Sequence, residues 1–402
     1  MVTADCRGYI YVLCLLPVTR HLSPVTAKPM KLETLSIRVG RDVEPTAGDI
    51  APAIHVSTTF ERDPDGAFSR GYSYSRPDNP SRRALEQCLA ALEGGAEATA
   101  YASGSAASMA VFSLLRPGDH VVAPVEAYHG TAQQLREFLA PLGVRTSFVD
   151  MTDNDKARAA LKSGARLVWI ETPSNPMLNV TDIEAVVAMA HEQGALVCCD
   201  NTFATPVWQR PFEMGADLVM HSSTKYFGGH SDVMGGVVIT RESGEIADQL
   251  RAYQGVAGAV PSPFDCWLIR RSLTTLACRV RAQTATAAQL ASFLAEHKAV
   301  ERVFYPGLSS HRNHAIARKQ MQGGFGAMLS FCVRGGREDA FAVAARLKMF
   351  SRATSLGGVE SLVEHRQSIE GPHTVTPATL LRLSVGLEHS DDLIADLEQA
   401  LG

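Results

Sequence analysis

The sequence lacks the hallmarks of several large protein classes. Its eight cysteines show no C-x-x-C spacing, which argues against a disulfide framework and against a cysteine zinc site. No run approaches the roughly eighteen apolar residues of a membrane-spanning helix. A net charge of -4 and the lack of a Lys/Arg block argue against a nucleic-acid surface. No G-x-G-x-x-G follows a predicted strand and no Walker loop is found, so nucleotide binding is not indicated.

Metal binding and secretion are not indicated either. His311 and His314 stand in a polar stretch without a supporting ligand motif, so we interpret them as solvated helix residues and predict no metal site. Cys198 and Cys199 are adjacent within an apolar run, which is typical of small core residues in a reducing compartment. The sequence therefore predicts a cytoplasmic location.

What is present indicates a globular protein of more than one domain. The chain has 402 residues, of which 46% are hydrophobic and 20% charged. An apolar run at 9–18 has signal-peptide length but no clear cleavage site, so we favour a disordered or over-extended leader at 1–30 over secretion. Turn formers at 31–60 predict an N-terminal arm, and a Gly- and Pro-rich stretch at 254–263 suits a domain junction. We predict a large domain at 61–255 and a small domain at 256–402.

Short apolar runs alternate with helical patterns through the predicted large domain. The runs cover residues 120–124, 144–149, 167–170, 195–200, 216–221 and 236–239. This alternation predicts an α/β fold, with a parallel sheet and helices on both of its faces. Beyond the junction, a long helical pattern at 264–300 and a strand at 327–333 predict a smaller α+β domain.

Two of these runs bring chemically useful residues to the same edge of the predicted sheet. Asp200 ends one run, and Lys225 follows the next. Ligands of parallel sheets gather at the carboxyl ends of the strands. There a lysine can form a Schiff base with pyridoxal 5'-phosphate (PLP), and a carboxylate can keep the pyridine nitrogen protonated. An arbitrary Asp and Lys would more often cap a turn and face solvent, so the flanking residues decide between the two interpretations.

The flanking residues form a series of motifs between residues 34 and 401. The series includes Tyr74-Ser-Arg76, Ser103-Gly-Ser, Glu171-Thr-Pro-Ser-Asn175-Pro, Asp200-Asn-Thr-Phe, His221-Ser-Ser-Thr-Lys225-Tyr, Ser355-Leu-Gly-Gly and Arg382-Leu-Ser-Val-Gly. It resembles the Cys/Met-metabolism branch of the PLP enzymes, the cystathionine γ-synthase and γ-lyase family. The resemblance implies the type I PLP-dependent transferase fold (aspartate-aminotransferase-like). That fold has a mixed, mostly parallel sheet in the large domain and a smaller α+β C-terminal domain.

A predicted helix start after Ser103 could bind a phosphate. Backbone amides at such a start, together with the helix dipole, favour an anion. An ordinary capped helix would look the same, so the pattern alone favours the simpler interpretation. The resemblance assigns Gly104 and Ser105 to the PLP phosphate, although relatives commonly have Met where this chain has Ser105. By the same resemblance, Ser222 and Thr224 would add hydroxyl donors.

Tyr74 and Arg76 carry a Tyr-x-Arg motif. A planar guanidinium matches a phosphate well, but the surrounding Ser, Pro, Asp and Asn residues also suit a surface loop. In the family this motif reaches the phosphate of the adjacent subunit. The resemblance therefore implies a homotetramer built from two catalytic dimers, with each active site completed by a second chain.

Tyr128 occupies the position of the tyrosine that stacks on the cofactor ring in the family. The resemblance implies that its phenol exchanges protons with the leaving group. Without that context, a half-buried core tyrosine would be the simpler interpretation. His129-Gly130 replaces the commoner Gly-Gly, and the methionine γ-lyases have Cys at the position of Gly130. Methionine γ-lyase activity is therefore less expected.

Asn175, Ser355 and Arg382 match family positions that hold the cofactor hydroxyl and the substrate α-carboxylate. Arg382 stands in an apolar, strand-like run, where a charge needs a partner. A substrate carboxylate could supply it by bidentate pairing. A structural salt bridge is the alternative.

Substrate choice is the least determined property. Many cystathionine-specific relatives have Glu where this chain has Thr354, and segment 366–372 also departs from the family pattern. We predict a trans-sulfuration enzyme that performs γ-replacement or γ-elimination on O-acyl-homoserine or cystathionine. A cystathionine β-lyase or an O-acetylhomoserine sulfhydrylase remains open. The alternative from another class is a protein that holds PLP with little turnover.

Overall fold

The computed structural model describes residues 30–43 and 46–402. The predicted leader at 1–30, apart from Met30, therefore lies outside the described residues. Within the described part, residues Leu32–Gly402 pack as one unit.

In this unit, seven strands form a mixed, mostly parallel sheet. Their bounds are β1 (Glu97–Tyr101), β2 (His120–Pro124), β3 (Arg145–Val149), β4 (Leu167–Glu171), β5 (Leu196–Asp200), β6 (Leu218–His221) and β7 (Gly236–Thr240). The spatial order is β1-β7-β6-β5-β4-β2-β3. Neighbours from β3 to β6 are parallel, whereas β7 runs antiparallel to β6 and β1. The predicted fold class is confirmed, and β1 is a strand that the apolar runs did not indicate.

The central strands of this sheet are apolar on both sides. In β4, Trp169 packs into one apolar cluster and Val168 into another. Cys198 and Cys199 of β5 divide between the same two clusters, and both are fully buried. Strands of this kind require helices on both faces. The interpretation of the paired cysteines as core residues is confirmed.

Helices surround the sheet and continue to the end of the chain. Their bounds are α1 (Leu32–Arg38), α2 (Pro80–Glu93), α3 (Gly104–Phe112), α4 (His129–Gln133), α5 (Asn154–Leu161), α6 (Ile183–His191), α7 (Thr205–Trp208), α8 (Glu245–Ala257), α9 (Pro263–Leu273), α10 (Leu276–Glu296), α11 (His314–Gln320), α12 (Arg337–Arg346) and α13 (Ser390–Leu401). Among the described residues, none of the helices has the length and apolar character to cross a membrane.

The single long helix predicted at 264–300 is wrong, because α9 and α10 are separate. Thr274 and Thr275 lie between them. Their hydroxyls donate to the carbonyls of Arg271 at 2.7 Å and of Ser272 at 3.1 Å. Threonine side chains offer the backbone such local alternatives to regular helical bonding. The apolar periodicity continues across the break, and it therefore conceals the break in the sequence.

A second sheet lies in the last third of the chain. Its strands are β8 (Val300–Phe304), β9 (Met328–Val333), β10 (Ser351–Arg352), β11 (Leu362–His365) and β12 (Leu380–Ser384). They are arranged β10-β11-β12-β9-β8, and every neighbouring pair except β10 and β11 is antiparallel. Arg382 of β12 stands opposite Glu364 of β11. The two sheets fall within the predicted large and small domains, and the domain boundaries themselves stay a prediction.

Candidate active site

A cavity of about 450 Å³ lies where the carboxyl ends of β4 and β5 approach β12 of the second sheet. Parallel strands that are distant in sequence end at the same edge of a sheet, which explains why polar residues converge there. The cavity brings together eleven of the thirteen predicted site residues. They are Gly104, Ser105, Tyr128, Asn175, Asp200, Ser222, Thr224, Lys225, Thr354, Ser355 and Arg382.

Lys225 projects into this cavity from the loop that follows β6. Its Nζ donates a hydrogen bond to Ser355 Oγ at 2.9 Å. Burial, and next the charge of Arg382, lowers the pKa of Lys225 to about 8. Near neutral pH, a larger fraction of Lys225 is therefore in the neutral amine form than is the case for a surface lysine. The neutral amine is the nucleophilic form.

Two carboxyl groups, of buried Glu171 and half-buried Asp200, stand side by side at the edge of the large sheet. Asp200 ends β5 and is the register partner of Glu171, which ends β4. Asp200 Oδ1 accepts a hydrogen bond from the Thr202 amide at 3.0 Å, but burial still raises the pKa of Asp200. Burial, and next the charge of Asp200, raises the pKa of Glu171 well above its usual range. A positively charged partner in the cavity would favour the ionised form of Asp200.

The first turn of α3 approaches the loop after β6 very closely. Ser103 caps this helix, and its hydroxyl accepts a hydrogen bond from the Ala106 amide at 3.1 Å. A Cβ added to Gly104 would lie 2.8 Å from both Cβ and Oγ of Ser222, so only glycine permits this approach. Thr224 is fixed on the same side, since its Oγ1 accepts from the Gly235 amide at 3.1 Å and donates to the Gly235 carbonyl at 3.2 Å. Helix amides and hydroxyls converge there on a place suited to an anion.

Arg382 forms the opposite wall and is 3% exposed. Its Nη1 donates to Asn175 Oδ1 at 2.9 Å, and its Nη2 donates to the Ser355 carbonyl at 2.8 Å and to Glu364 Oε2 at 2.7 Å. Ser355 has a φ of +83°, a conformation that a non-glycine residue keeps only where its surroundings enforce it. The salt bridge named as the alternative for Arg382 is thus present, and the same guanidinium also lines the cavity.

Tyr128 precedes α4 at the rim of the cavity and is 39% exposed. Its amide donates to Glu171 Oε2 at 2.7 Å, which ties the rim to the end of β4. Its ring lies edge-on to the His129 ring, with 4.5 Å between the centroids. Burial raises the pKa of the Tyr128 phenol, and the charge of Arg366 opposes that shift. A phenol whose pKa is raised is protonated at neutral pH and can donate a proton.

Comparison with known proteins identifies the family. A family model described as Cys/Met metabolism PLP-dependent enzyme matches residues 33–402. The chain belongs to this family. The family resemblance of the motifs, the predicted fold class and the use of PLP are therefore confirmed.

The similar proteins carry related names. Cystathionine gamma-synthase of Mycobacterium tuberculosis is 45% identical over 92% of this chain and 96% of its own length. Cystathionine gamma-lyase of Dictyostelium discoideum is 42% identical over 92% of this chain and 97% of its own. A solved structure of cystathionine gamma synthase from Xanthomonas oryzae pv. oryzae, in complex with cystathionine, is 39% identical. It covers 93% of this chain and 98% of its own, with a TM-score of 0.89.

The residues around the cavity of this Cys/Met-metabolism enzyme fit PLP. The amine of Lys225, with its lowered pKa, suits a covalent bond to an aldehyde. The carboxyl group of Asp200, whose pKa desolvation raises, suits a protonated ring nitrogen, because that positive charge would favour its ionised form. The close approach of Gly104 to Ser222 leaves helix amides for a phosphate. The cavity therefore offers a partner for the aldehyde, for the ring nitrogen and for the phosphate of the cofactor.

Tyr74 and Arg76 are the two predicted site residues that do not line the cavity of their own chain. Tyr74 is 49% exposed and forms an isolated bridge with Thr59. Arg76 is exposed and its guanidinium bonds to the Gly255 carbonyl. The assignment of both residues to the phosphate of an adjacent subunit stays a prediction.

The cavity is also lined by residues that the sequence did not assign to the site, among them His129, Glu171, Arg366 and Ile369. Glu171 ends an apolar run just as Asp200 does, so the strand-end argument could have found it. Arg366 and Ile369 follow a strand of only four residues, β11, whose run is too short to be recognised. Their place in the site depends on tertiary packing that no local pattern encodes.

The interpretation of His311 and His314 as solvated helix residues is wrong. His311 precedes α11, and its Nε2 lies 3.1 Å from the Leu178 carbonyl. Burial lowers the pKa of His311 to about 4. His314 Nδ1 lies 2.8 Å from the Pro306 carbonyl. Both imidazoles are engaged with backbone, which the polar neighbouring sequence does not indicate.

Proposed function

We propose that this chain catalyses γ-replacement or γ-elimination on a γ-substituted amino acid, O-acyl-homoserine or cystathionine. The observation that carries the proposal is the grouping of Lys225, Asp200 and Arg382 around one cavity. Together they offer an amine, a carboxylate and a guanidinium, which are the groups needed to hold PLP and an amino-acid substrate. The names of the similar synthase and lyase support the same reaction types.

We propose the following residues as the PLP site. Lys225 would carry the cofactor, Asp200 would face the ring nitrogen, and Tyr128 would cover the ring. The phosphate and the ring hydroxyl would be held by Gly104, Ser105, Ser222, Thr224 and Asn175. When bound, PLP supplies an electron sink for the charge left at the substrate α-carbon after proton loss.

The substrate would be oriented by Arg382 and Ser355. Arg382 is always charged and presents parallel donors, so it suits the α-carboxylate. Its bonds to Asn175 and to the Ser355 carbonyl fix the guanidinium before the substrate arrives. Preorganised donors lose less entropy on binding. The α-carbon would then face Lys225, whose amine can remove the α-proton because its pKa is lowered to about 8.

Tyr128 would transfer the proton needed at the γ-position. Its phenol is protonated at neutral pH because burial raises its pKa, and it lies on the rim between the sheet and the entrance. A leaving thiolate can take a proton from such an acid, and an incoming thiol can return one to the phenolate, whereas an acyl ester leaves as a carboxylate. Once a proton has been lost from the β-carbon, the C–O or C–S bond at the γ-carbon would break, and either a new C–S bond would form there or water would release a 2-oxo acid and ammonia.

The residues at the entrance favour O-acyl-homoserine over cystathionine. Thr354 is exposed and lines the cavity where a carboxylate could have met a distal ammonium group. A thiol transfer to O-acetylhomoserine is therefore the second candidate, since that substrate has no distal amine. A Cβ at Gly130 would lie 2.6 Å from the Tyr128 ring, so the cysteine of the methionine γ-lyases would displace this tyrosine.

We also propose that the active enzyme is a homotetramer of two catalytic dimers. The support is the exposure of Tyr74 and Arg76 outside the cavity of their own chain, together with the motif they form. A guanidinium from a second chain would add positive charge at the phosphate.

A substrate panel tests the proposal. PLP-loaded enzyme is incubated with O-acetylhomoserine, O-succinylhomoserine or cystathionine, each with and without cysteine or homocysteine, and keto acid, thiol and thioether products are quantified. Turnover of at least one γ-substituted substrate is expected, and Lys225→Ala serves as the inactive control. If PLP is bound but none of these substrates reacts, the proposed reaction is wrong, and a PLP-holding role is favoured instead.

A further inference from the structure

His129 is a titratable residue of the cavity that the proposed mechanism does not use. It begins α4, directly after Tyr128, and it lines the cavity. Its Nδ1 is buried and has no hydrogen-bond partner. Its Nε2, within the described chain, makes no hydrogen bond either. Most buried polar side-chain atoms are hydrogen-bonded, so an imidazole with neither nitrogen engaged requires an explanation.

The surroundings of His129 keep its imidazole neutral. Burial lowers the pKa of His129, and the charge of Arg366 acts next in the same direction. Glu370 and Glu364 oppose this shift, but both carboxylates are paired with Arg366, at 3.0 Å and 2.8 Å. The neighbouring Tyr128 ring lies edge-on to the imidazole and adds no charge while its phenol is protonated. A histidine whose pKa is lowered is an unprotonated base at neutral pH.

The proposed reaction of an acyl ester with a thiol lacks an acceptor for one proton. The acyl group leaves as a carboxylate and takes no proton, so Tyr128 keeps its phenolic proton and does not become a base. The incoming thiol must still lose its proton, because the thiolate is the nucleophile. With a thiol pKa of about 8.5, roughly one cysteine in thirty is ionised at about pH 7. A base beside the γ-carbon would allow the other molecules to react.

The other ionisable side chains of the cavity have different tasks. Lys225 would take up the α-proton, and Asp200 would face the ring nitrogen of the cofactor. Glu171 accepts a hydrogen bond from the Tyr128 amide, and burial raises its pKa, which favours the protonated form. Arginine side chains stay charged and cannot accept a proton. Among the described residues that line the cavity, His129 is therefore the titratable group left to act as a base.

We propose that His129 is the general base that activates the incoming thiol in γ-replacement. The inference rests on the proposed function and adds a catalytic residue to it. The thiol proton passes to the imidazole, the sulfur forms the C–S bond at the γ-carbon, and the imidazolium then releases the proton to water. For an acyl ester, the products are one thioether, one carboxylate and one proton. Tyr128 would instead serve a thiolate leaving group, which takes the phenolic proton.

The first test follows kcat/KM for cysteine as a function of pH, with an acyl-homoserine in excess. Without the base, thiol addition has to use the thiolate that is already present in solution. We expect His129→Gln to be about thirtyfold slower than the wild type at about pH 7, and about equal to it at about pH 9, where most of the thiol is ionised. The ratio of the two enzymes cancels the ionisations that they share, such as that of Lys225.

Two further variants make the first test decisive. His373→Gln removes an exposed histidine that does not line the cavity, and it should follow the wild type at every pH. His129→Ala is assayed beside His129→Gln, and neither change removes a hydrogen bond of the folded chain. A wild-type-to-variant ratio that stays constant with pH would show that His129 only packs against Tyr128, and would overturn the proposal. A wild type that eliminates but forms no thioether would overturn it too, while leaving the proposed function intact.

A titration tests the imidazole without any turnover. PLP-loaded enzyme, labelled with carbon-13 in its histidines, is titrated by NMR, and the signal that is missing from His129→Gln identifies His129. We expect the pKa of His129 to lie below about 7, so that the free base predominates at neutral pH. A higher pKa would leave the imidazole mostly protonated when the thiol arrives. That result would overturn the base role even if the substrate panel had confirmed the proposed function.

Discussion

The two walls of the cavity are built on different physical principles. We call the residues at the edge of the seven-stranded sheet, Asp200, Ser222 and Lys225, the sheet wall. We call Ser355, Arg366 and Arg382 the selection wall, because they belong to the second sheet and its loops. The sheet wall is positioned by backbone: strand ends, a helix start and a glycine contact at 2.8 Å. The selection wall is positioned by side-chain ion pairs and hydrogen bonds that run from Asn175 to Thr376.

This difference separates the residues that hold the cofactor from the residues that determine substrate preference. A group placed by backbone geometry changes little when neighbouring side chains change, so the sheet wall can keep the same cofactor chemistry under many sequences. A group placed by a side-chain network shifts when one member changes, because the other charges must find new partners. Substrate preference can therefore vary through segment 366–372 while the backbone that positions Lys225 and Asp200 stays in place.

The largest expected effect comes from removing Lys225 of the sheet wall. Lys225→Ala should abolish turnover and the borohydride-reducible bond between chain and cofactor. Among the described residues that line the cavity, Lys225 is the only lysine, so no other side-chain amine can form that bond. The fold should remain, because the lost hydrogen bond to Ser355 is a single one. Visible absorbance, borohydride reduction and circular dichroism measure these properties. A reducible bond that persists in the variant would end the assignment.

Asp200→Ala should have the second-largest effect. The variant should retain some cofactor through Lys225 and the phosphate site, but lose most turnover because the ring nitrogen would no longer be held protonated. Asp200→Glu, which keeps the charge at a different reach, is the matched control and should retain more activity. Cofactor content and kcat are measured together. Nearly wild-type kcat in Asp200→Ala would show that the ring nitrogen lies elsewhere.

The same contrast explains what the sequence predicts and what it hides. The residues of the sheet wall can be predicted from the sequence, because apolar runs end at Asp200 and before Lys225 and because the strand ends of a parallel sheet converge. Arg382 can also be predicted as a site residue, since a charge inside an apolar run needs a partner. Arg366 and its link to Glu370 are not, because β11 is short and the network closes only in three dimensions. The sequence also conceals the break between α9 and α10, because hydrogen bonds from two threonine hydroxyls interrupt the helix while the apolar periodicity continues.

A pH experiment measures how strongly the two walls interact. Apoenzyme is mixed with PLP at a series of pH values, and the rate of formation of the reducible bond is followed. The neutral amine reacts, so the rate should rise with pH and reach half its maximum near pH 8, rather than near the 10.5 of an ordinary lysine. Arg382→Gln should move that midpoint to higher pH, because the guanidinium charge helps to lower the pKa of Lys225.

A free lysine derivative mixed with PLP is the control for titration of the cofactor itself. If the midpoint of the wild type coincides with that of the free amine, then burial does not lower the pKa of Lys225. If Arg382→Gln leaves the midpoint unchanged, the two walls do not interact through charge.

We expect a second chain to contribute Arg76 to the phosphate site beside the sheet wall. Arg76→Ala should weaken PLP binding by removing a guanidinium from the phosphate of the adjacent subunit, with a loss of about tenfold typical of a charge-assisted hydrogen bond. Mixing Arg76→Ala with inactive Lys225→Ala should restore activity above the level of Arg76→Ala alone. Hybrid dimers would contain one site with both residues intact. A monomer with full activity by light scattering would contradict the shared site.

The smallest expected effect concerns Thr354 at the entrance of the selection wall. Thr354 offers no carboxylate to the distal ammonium of cystathionine, and that charge-assisted contact is worth about 1.5–3 kcal/mol. Thr354→Glu should therefore raise kcat/KM for cystathionine, relative to O-acetylhomoserine, by about tenfold or more. Thr354→Gln, of similar size but neutral, should not. Because Arg366 also lines the cavity, the new carboxylate could pair with it, and the double variant Thr354→Glu/Arg366→Gln should then show the larger gain. If neither Thr354→Glu nor the double variant changes the ratio of kcat/KM for cystathionine to that for O-acetylhomoserine, Thr354 does not face the distal amine. Discrimination between the two substrates must then come from segment 366–372.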